Sequence, residues 1–201
     1  MKTFTEFADI SAYQPDSLTY MKSLGRYASG LFVKLTEGSE TGSRYFNPKA
    51  PQQLTNGFEI FDVIGVYHYF RGNSQRFGEN DPVNEAKWFY KKIVEMGLNN
   101  TTVCAIDVED QCLQKNVTND INLFIQYLHD KGFHNLVVYA SASWFNNGRI
   151  DRRLLKFAPA IWVASYGVTA PGVDDTQAWQ YTNNGHGLQT DFNYDFSGIL
   201  H

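Results

Sequence analysis

The segment Ala105-Ile106-Asp107-Val108-Glu109-Asp110 sets two carboxylates at positions i and i+2 behind the apolar run Val103-Cys104-Ala105-Ile106. Successive side chains of a strand point to opposite faces, so Asp107 and Glu109 face the same way, with backbones roughly 7 Å apart at ~3.3 Å per residue. Two like charges this close raise each other's pKa, and burial raises it further. A protonated carboxylic acid beside an ionised carboxylate is the pair that glycoside hydrolysis uses. Taken alone, the motif reads equally as a solvated acid cluster at a strand end or as a set of metal ligands.

The elements that must position these acids alternate along the chain. Apolar or β-branched runs at Phe4–Ile10, Gly30–Leu35, Val63–Phe70, Thr102–Val108, Asn135–Ala140, Ala160–Ser165, Ala178–Tyr181 and Thr190–Phe192 predict eight strands. Helical spacing appears in Ser17–Tyr27, Phe46–Asn56, Asp81–Met96 and Thr118–Lys131. Asn47 and Pro48 suit the cap and first residue of the second of these helices. Residues 143–157 support only short helical turns, and the later gaps are short and polar. Strand–helix alternation predicts a mostly parallel sheet. Eight strands with helices concentrated early predict an α/β fold: an irregular (β/α) TIM-like barrel whose outer helices are missing near the C-terminus. Residues 1–201 are expected to be one catalytic domain.

Such a barrel carries its chemistry at the C-terminal strand ends. Those ends read Asp9-Ile10-Ser11, Lys34-Leu35-Thr36-Glu37, Tyr67-His68-Tyr69-Phe70, Asp107-Val108-Glu109, Tyr139-Ala140-Ser141, Trp162-Val163-Ala164-Ser165-Tyr166, Trp179-Gln180-Tyr181 and Asp191-Phe192-Asn193. Closure makes the first and last strands neighbours and brings Asp9 to Asp191. Four acids then surround one cavity, with Lys34 the obvious nearby cation. Hard cations take carboxylates, so a metal is an alternative reading, but the aromatic lining suits a sugar better. His68 is the one histidine expected near the site.

The chain carries a net charge of −4 and no Lys/Arg run, which argues against nucleic acid as a partner. No apolar run approaches the ~18 residues of a membrane span, so no membrane partner is expected. Cys104 falls in an apolar strand and Cys112 in a loop, with no disulfide framework or zinc spacing. No cofactor and no metal are expected. The N-terminus, Met1-Lys2-Thr3-Phe4-Thr5-Glu6, has no apolar h-region and does not read as a signal peptide. Nothing suggests an obligate interface, and a monomer is expected.

Taken in order, the strand-end residues resemble the glycoside hydrolase family 25 lysozymes, the Chalaropsis-type N,O-diacetylmuramidases found among phage endolysins and bacterial autolysins. The anchors are Asp9-Ile10-Ser11 with Gln14, Val33-Lys34-Leu35-Thr36-Glu37-Gly38, Gly65-Val66-Tyr67-His68-Tyr69-Phe70, Asp107-Val108-Glu109, Trp162-Val163-Ala164-Ser165-Tyr166, Trp179-Gln180-Tyr181 and Asp191-Phe192-Asn193. They cover essentially the whole chain. The resemblance implies cleavage of the β-1,4 bond between N-acetylmuramic acid and N-acetylglucosamine in peptidoglycan glycan strands. It implies Glu109 as general acid/base, with Asp107, Asp9 and Asp191 around the reacting sugar. It also implies action on the bacterial cell wall, and the absent signal peptide fits a holin-released phage lysin. The family's second-strand motif more often carries Ala where this chain has Leu35, a position expected to point outward. Wall-binding repeats, common in the family, are not read here.

The remaining rim residues each have two readings. Lys34 and Glu37 form an ion pair that holds the rim, or they touch substrate. Tyr67, Tyr69, Tyr166 and Trp179 are stacking platforms or core, and inward alternation admits only some of them to the cavity. Gln180 hydrogen-bonds the sugar or ties down a neighbouring acid. Asp110 is expected to point away and to be structural. The alternative function is a sugar-binding barrel without catalysis.

Overall fold

A computed structural model describes residues 5–200. The strands are β1 (Thr5–Ile10), β2 (Gly30–Glu37), β3 (Tyr45–Phe46), β4 (Val63–Tyr69), β5 (Cys104–Asp107), β6 (Leu136–Ser141), β7 (Ala160–Ala164), β8 (Ala178–Thr182) and β9 (Asp191–Asp195). The helices are α1 (Leu18–Leu24), α2 (Ala50–Gly57), α3 (Ser74–Phe77), α4 (Asn80–Glu95), α5 (Val117–Asp130) and α6 (Ala142–Asn146). Eight strands close in the order β1-β9-β8-β7-β6-β5-β4-β2, with β2 returning to β1; β3 is a two-residue addition to the edge of β2.

All eight expected strands are present, with ends shifted by a few residues, and Phe4 lies outside the described residues. The last strand differs in direction. β9 runs antiparallel to both β1 and β8, because the short link after β8 (Ala178–Thr182) has no room for a crossover helix. Asp191 therefore reaches the active rim from the start of its strand and not from the end. The second helix begins at Ala50, with Pro51 in its first turn, so Asn47-Pro48 does not open it. Asn47 is instead fully buried; its Nδ2 donates to the Lys34 carbonyl and to Gln53 Oε1, which ties the approach to α2 onto β2.

Two apolar layers form, one on each face of the barrel wall. The outer layer joins β-strand residues such as Ile10, Val33, Leu35 and Val66 to Phe89, Phe124 and Leu128 of the helices. Leu35 thus points outward, as expected. The inner layer fills the lumen with Phe7, Phe32, Val137, Tyr139, Trp162 and Leu200. Phe7, Phe32 and Trp162 pack with ring centroids 5.0–5.6 Å apart. Gly65 makes room for this packing: a Cβ there would sit 2.2 Å from the Phe32 ring. The lumen is a packed core below and opens only at the rim.

Candidate active site

Strand parity selects which rim residues reach the cavity. On β4, Tyr67 lines it; on β5, Asp107; on β6, Tyr139; on β7, Trp162; on β8, Gln180. Asp9 of β1, Asp191 of β9 and Glu109, two residues past Asp107, complete the lining. The four acids expected to converge do so.

Asp9 is the most tightly held. Its Oδ2 accepts hydrogen bonds from Gln180 Nε2 and Asn193 Nδ2, both at 2.9 Å. The orientation of both amides is set by further donors. Trp162 Nε1 can only donate, and it donates to Asn193 Oδ1 at 2.8 Å, so the Asn193 NH2 must face Asp9. The Tyr139 hydroxyl donates to Gln180 Oε1 at 2.8 Å, and the Tyr166 hydroxyl donates to the same oxygen. Burial pushes the Asp9 carboxyl up, while the two amide donors favour its ionised form. Asp191 pairs with Asp9 across the β1–β9 ladder and shares a hydrogen bond with it. Burial, then the Asp9 charge, pushes Asp191 up to about 8, so Asp191 carries a proton at neutral pH.

Asp107 and Glu109 form the second pair. Burial, then the Glu109 charge, raises Asp107 well above the usual carboxylate range, and Lys34 opposes this. Asp107 Oδ1 is buried and has no hydrogen-bond partner among the described residues. Glu109 is raised by burial and by the Asp9 charge, again against Lys34. Two carboxyls whose pKa values are raised by burial stand on one wall, as acid–base chemistry at a glycosidic bond requires.

The rim residues sort by orientation. Lys34 Nζ bonds Glu37 Oε2 at 2.9 Å and lies 4.6 Å from the Tyr69 ring centroid. Arg71 extends this chain of charges, with Nε 3.1 Å from Asp110 Oδ2 and a second nitrogen 3.5 Å from Glu37 Oε1. Lys34, Glu37 and Tyr69 therefore frame the cavity without lining it, and Asp110 is structural. Tyr166 stands at the mouth, half exposed, with its hydroxyl on Gln180.

Two expectations fail by one step of alternation. Trp179 precedes the inward Gln180 and points outward; its Nε1 donates to the Ser165 carbonyl at 2.8 Å and its ring packs near Tyr194. His68 lies between Tyr67 and Tyr69 and points outward into the helix layer. There it bonds Thr36 Oγ1 and Glu85 Oε2, each at 2.8 Å, among Phe70, Phe89 and Phe124. Three residues were not expected as site residues: Tyr139, Trp162 and Asn193. The available signal was parity, since Asn193 is two residues from Asp191 and shares its face.

The sequence profile of the glycosyl hydrolases family 25 matches residues 8–189, nearly the whole barrel. This chain belongs to that family. Lysozyme M1 of Streptomyces globisporus is 25% identical over 191 residues, covering 88% of this family 25 chain and 61% of the relative. The chain thus spans less than two thirds of that relative's length. A family 25 glycosyl hydrolase of Streptococcus pneumoniae superposes with a TM-score of 0.77 at 21% identity, over 95% of this chain and 86% of that one. A bacterial lysozyme of Streptomyces coelicolor gives 0.72 at 21% identity, over 97% and 93%. These structures share the fold of the family 25 barrel described here.

Proposed function

We propose that this chain is a lysozyme, a 1,4-β-N-acetylmuramidase that hydrolyses the bond between N-acetylmuramic acid and N-acetylglucosamine in peptidoglycan. The observation that carries the reading is the convergence of Asp9, Asp107, Glu109 and Asp191 on one cavity, each with its carboxyl raised by burial. Family membership and the similarity to lysozyme M1 support it.

In this reading Glu109 is the general acid. It gives its proton to the glycosidic oxygen as the bond to the anomeric carbon breaks. The 2-acetamido oxygen of the muramic acid attacks that carbon, and Asp107 accepts the acetamido N–H, so no protein nucleophile is required. Glu109, now ionised, takes a proton from the water that opens the cyclic intermediate. Asp9, held by Gln180 and Asn193, supplies negative potential to the developing oxocarbenium charge, and the protonated Asp191 donates a hydrogen bond. The substrate is the glycan strand of the wall, outside the cytoplasm.

Wild type and Glu109→Gln are to be incubated with purified peptidoglycan, and the soluble fragments reduced with borohydride and weighed by mass spectrometry. Fragments ending in reduced muramic acid are expected from wild type, with turnover at least about 10³-fold slower in the variant. Fragments ending in reduced glucosamine would move the cleaved bond. Full activity in the variant would remove Glu109 from the mechanism. Retention at the anomeric carbon in the first product, followed by NMR, is expected for the acetamido route, and inversion would replace that route with direct attack by water.

A further inference from the structure

A second concavity, of about 370 Å³, lies on the outer side of the β2–β4–β5 sector of the rim. Its walls come from the loop after β2 (Gly38 to Ser43), from Arg71, from Arg76 and Phe77 of α3, and from Cys112. Arg71 ties this groove to the rim, since its guanidinium bridges Glu37 and Asp110, the neighbour of Glu109.

The charges around the groove are unevenly satisfied. Asp81 accepts the Asn73 backbone N–H at 2.9 Å. Glu85 accepts the Arg71 backbone N–H at 2.9 Å and bonds His68. Glu37 and Asp110 are engaged by Arg71. Arg76 forms no ion pair among the described residues, and its guanidinium lies 4.9 Å from the exposed Phe77 ring. The turn that carries it is fixed in place. Asn73 Oδ1 accepts the Arg76 N–H at 3.0 Å, and Asn73 Nδ2 donates to the Cys112 carbonyl at 3.2 Å. Asp120 Oδ2 accepts the Ser74 N–H at 3.1 Å. A free guanidinium on a braced turn, over an apolar ring and beside loop hydroxyls, suits a carboxylate at the end of a short peptide.

We propose that this groove binds the peptide stem of the muramic acid, with a stem carboxylate on Arg76. The inference rests on the lysozyme reading and names a further part of its substrate. On muramic acid the stem leaves from the lactyl group at C3, next to the 2-acetamido group at C2. Asp107 lies on β5 beside β4, and Arg71, just past β4, lines the groove, so a stem leaving C3 next to an acetamido group on Asp107 has the groove in the adjoining sector.

The test compares peptidoglycan strands carrying their stems with strands stripped by an N-acetylmuramoyl-L-alanine amidase, cleaved by wild type and by Arg76→Ala. Wild type is expected to cleave both. The variant is expected to show KM raised about fivefold to tenfold on stem-bearing strands, with kcat retained and stripped strands cleaved as by wild type. Arg76→Lys should recover part of the loss, and strands whose stem carboxylates are amidated should lose their sensitivity to Arg76→Ala. An equal loss on both substrates, or none on either, overturns the stem assignment and leaves the lysozyme reading intact. Wild type that cleaves neither substrate overturns both.

Discussion

Asp195 and Asp107 are both buried carboxylates of the barrel wall, at opposite ends of it. Asp195 closes the floor. Its Oδ1 accepts the backbone N–H groups of Ser197, Gly198 and Ile199 at 2.7–3.2 Å, and its Oδ2 accepts that of Leu200 at 3.2 Å. The turn so formed delivers Leu200 to the lumen, where it fits against Gly30 because a Cβ there would lie 2.8 Å from Leu200 Cδ1. Asp107 stands at the mouth with Oδ1 unpartnered among the described residues and Glu109 beside it. One acid organises backbone; the other is left under-satisfied and raised in pKa. The difference locates chemistry at one end of the barrel and stability at the other.

Substitutions at the two ends should therefore dissociate. Asp195→Ala strips four N–H groups of their acceptor and should cost about 3 kcal/mol, read as a lowered urea midpoint, while activity per folded molecule stays within about twofold. Asp107→Asn should do the reverse. It replaces a buried carboxyl whose Oδ1 has no partner among the described residues, so stability holds or rises, while kcat falls about 10²-fold, or about 2.7 kcal/mol. If Asp107→Asn unfolded the protein and Asp195→Ala abolished turnover of folded enzyme, the division between the ends would collapse.

Two further measurements sharpen the same comparison. Gly65→Ala forces a methyl into the Phe32 ring in the lumen and should destabilise by about 2 kcal/mol in thermal or urea melts. The pH dependence of stability probes the catalytic end instead. Asp191 has a folded-state pKa of about 8 against a model-peptide 3.8, so between these values the folded protein binds more protons than the unfolded chain. Stability from this group therefore falls as pH rises from about 4 to about 8 and levels off above. Asp191→Asn should flatten that slope in melts recorded at pH 5 and pH 8; an unchanged slope would assign it to other groups.

Much of the site was legible because it follows period 2. Asp107 and Glu109 share a face, Asp9 and Asp191 meet through barrel closure, and Lys34 and Glu37 take the ion-pair form, one of their two readings. Where the register of in and out had to be assigned strand by strand, the sequence was ambiguous. Trp179 and Gln180 are adjacent, either is plausible at a sugar site, and only the packing of the lumen decides that Gln180 enters. His68 stands in the same relation to its tyrosine neighbours.

Local pattern alone determined the order of strands and helices, the acids at the strand ends and the outward Leu35, since these depend on spacing along one chain. Tertiary structure decided the antiparallel course of β9, the choice of which rim aromatics face the cavity, and the Trp162–Asn193–Asp9 and Tyr139–Gln180–Asp9 relays. Those contacts join residues that are 31 to 184 positions apart. Their geometry, and the protonation states that follow from it, exist only once the barrel has closed and excluded water.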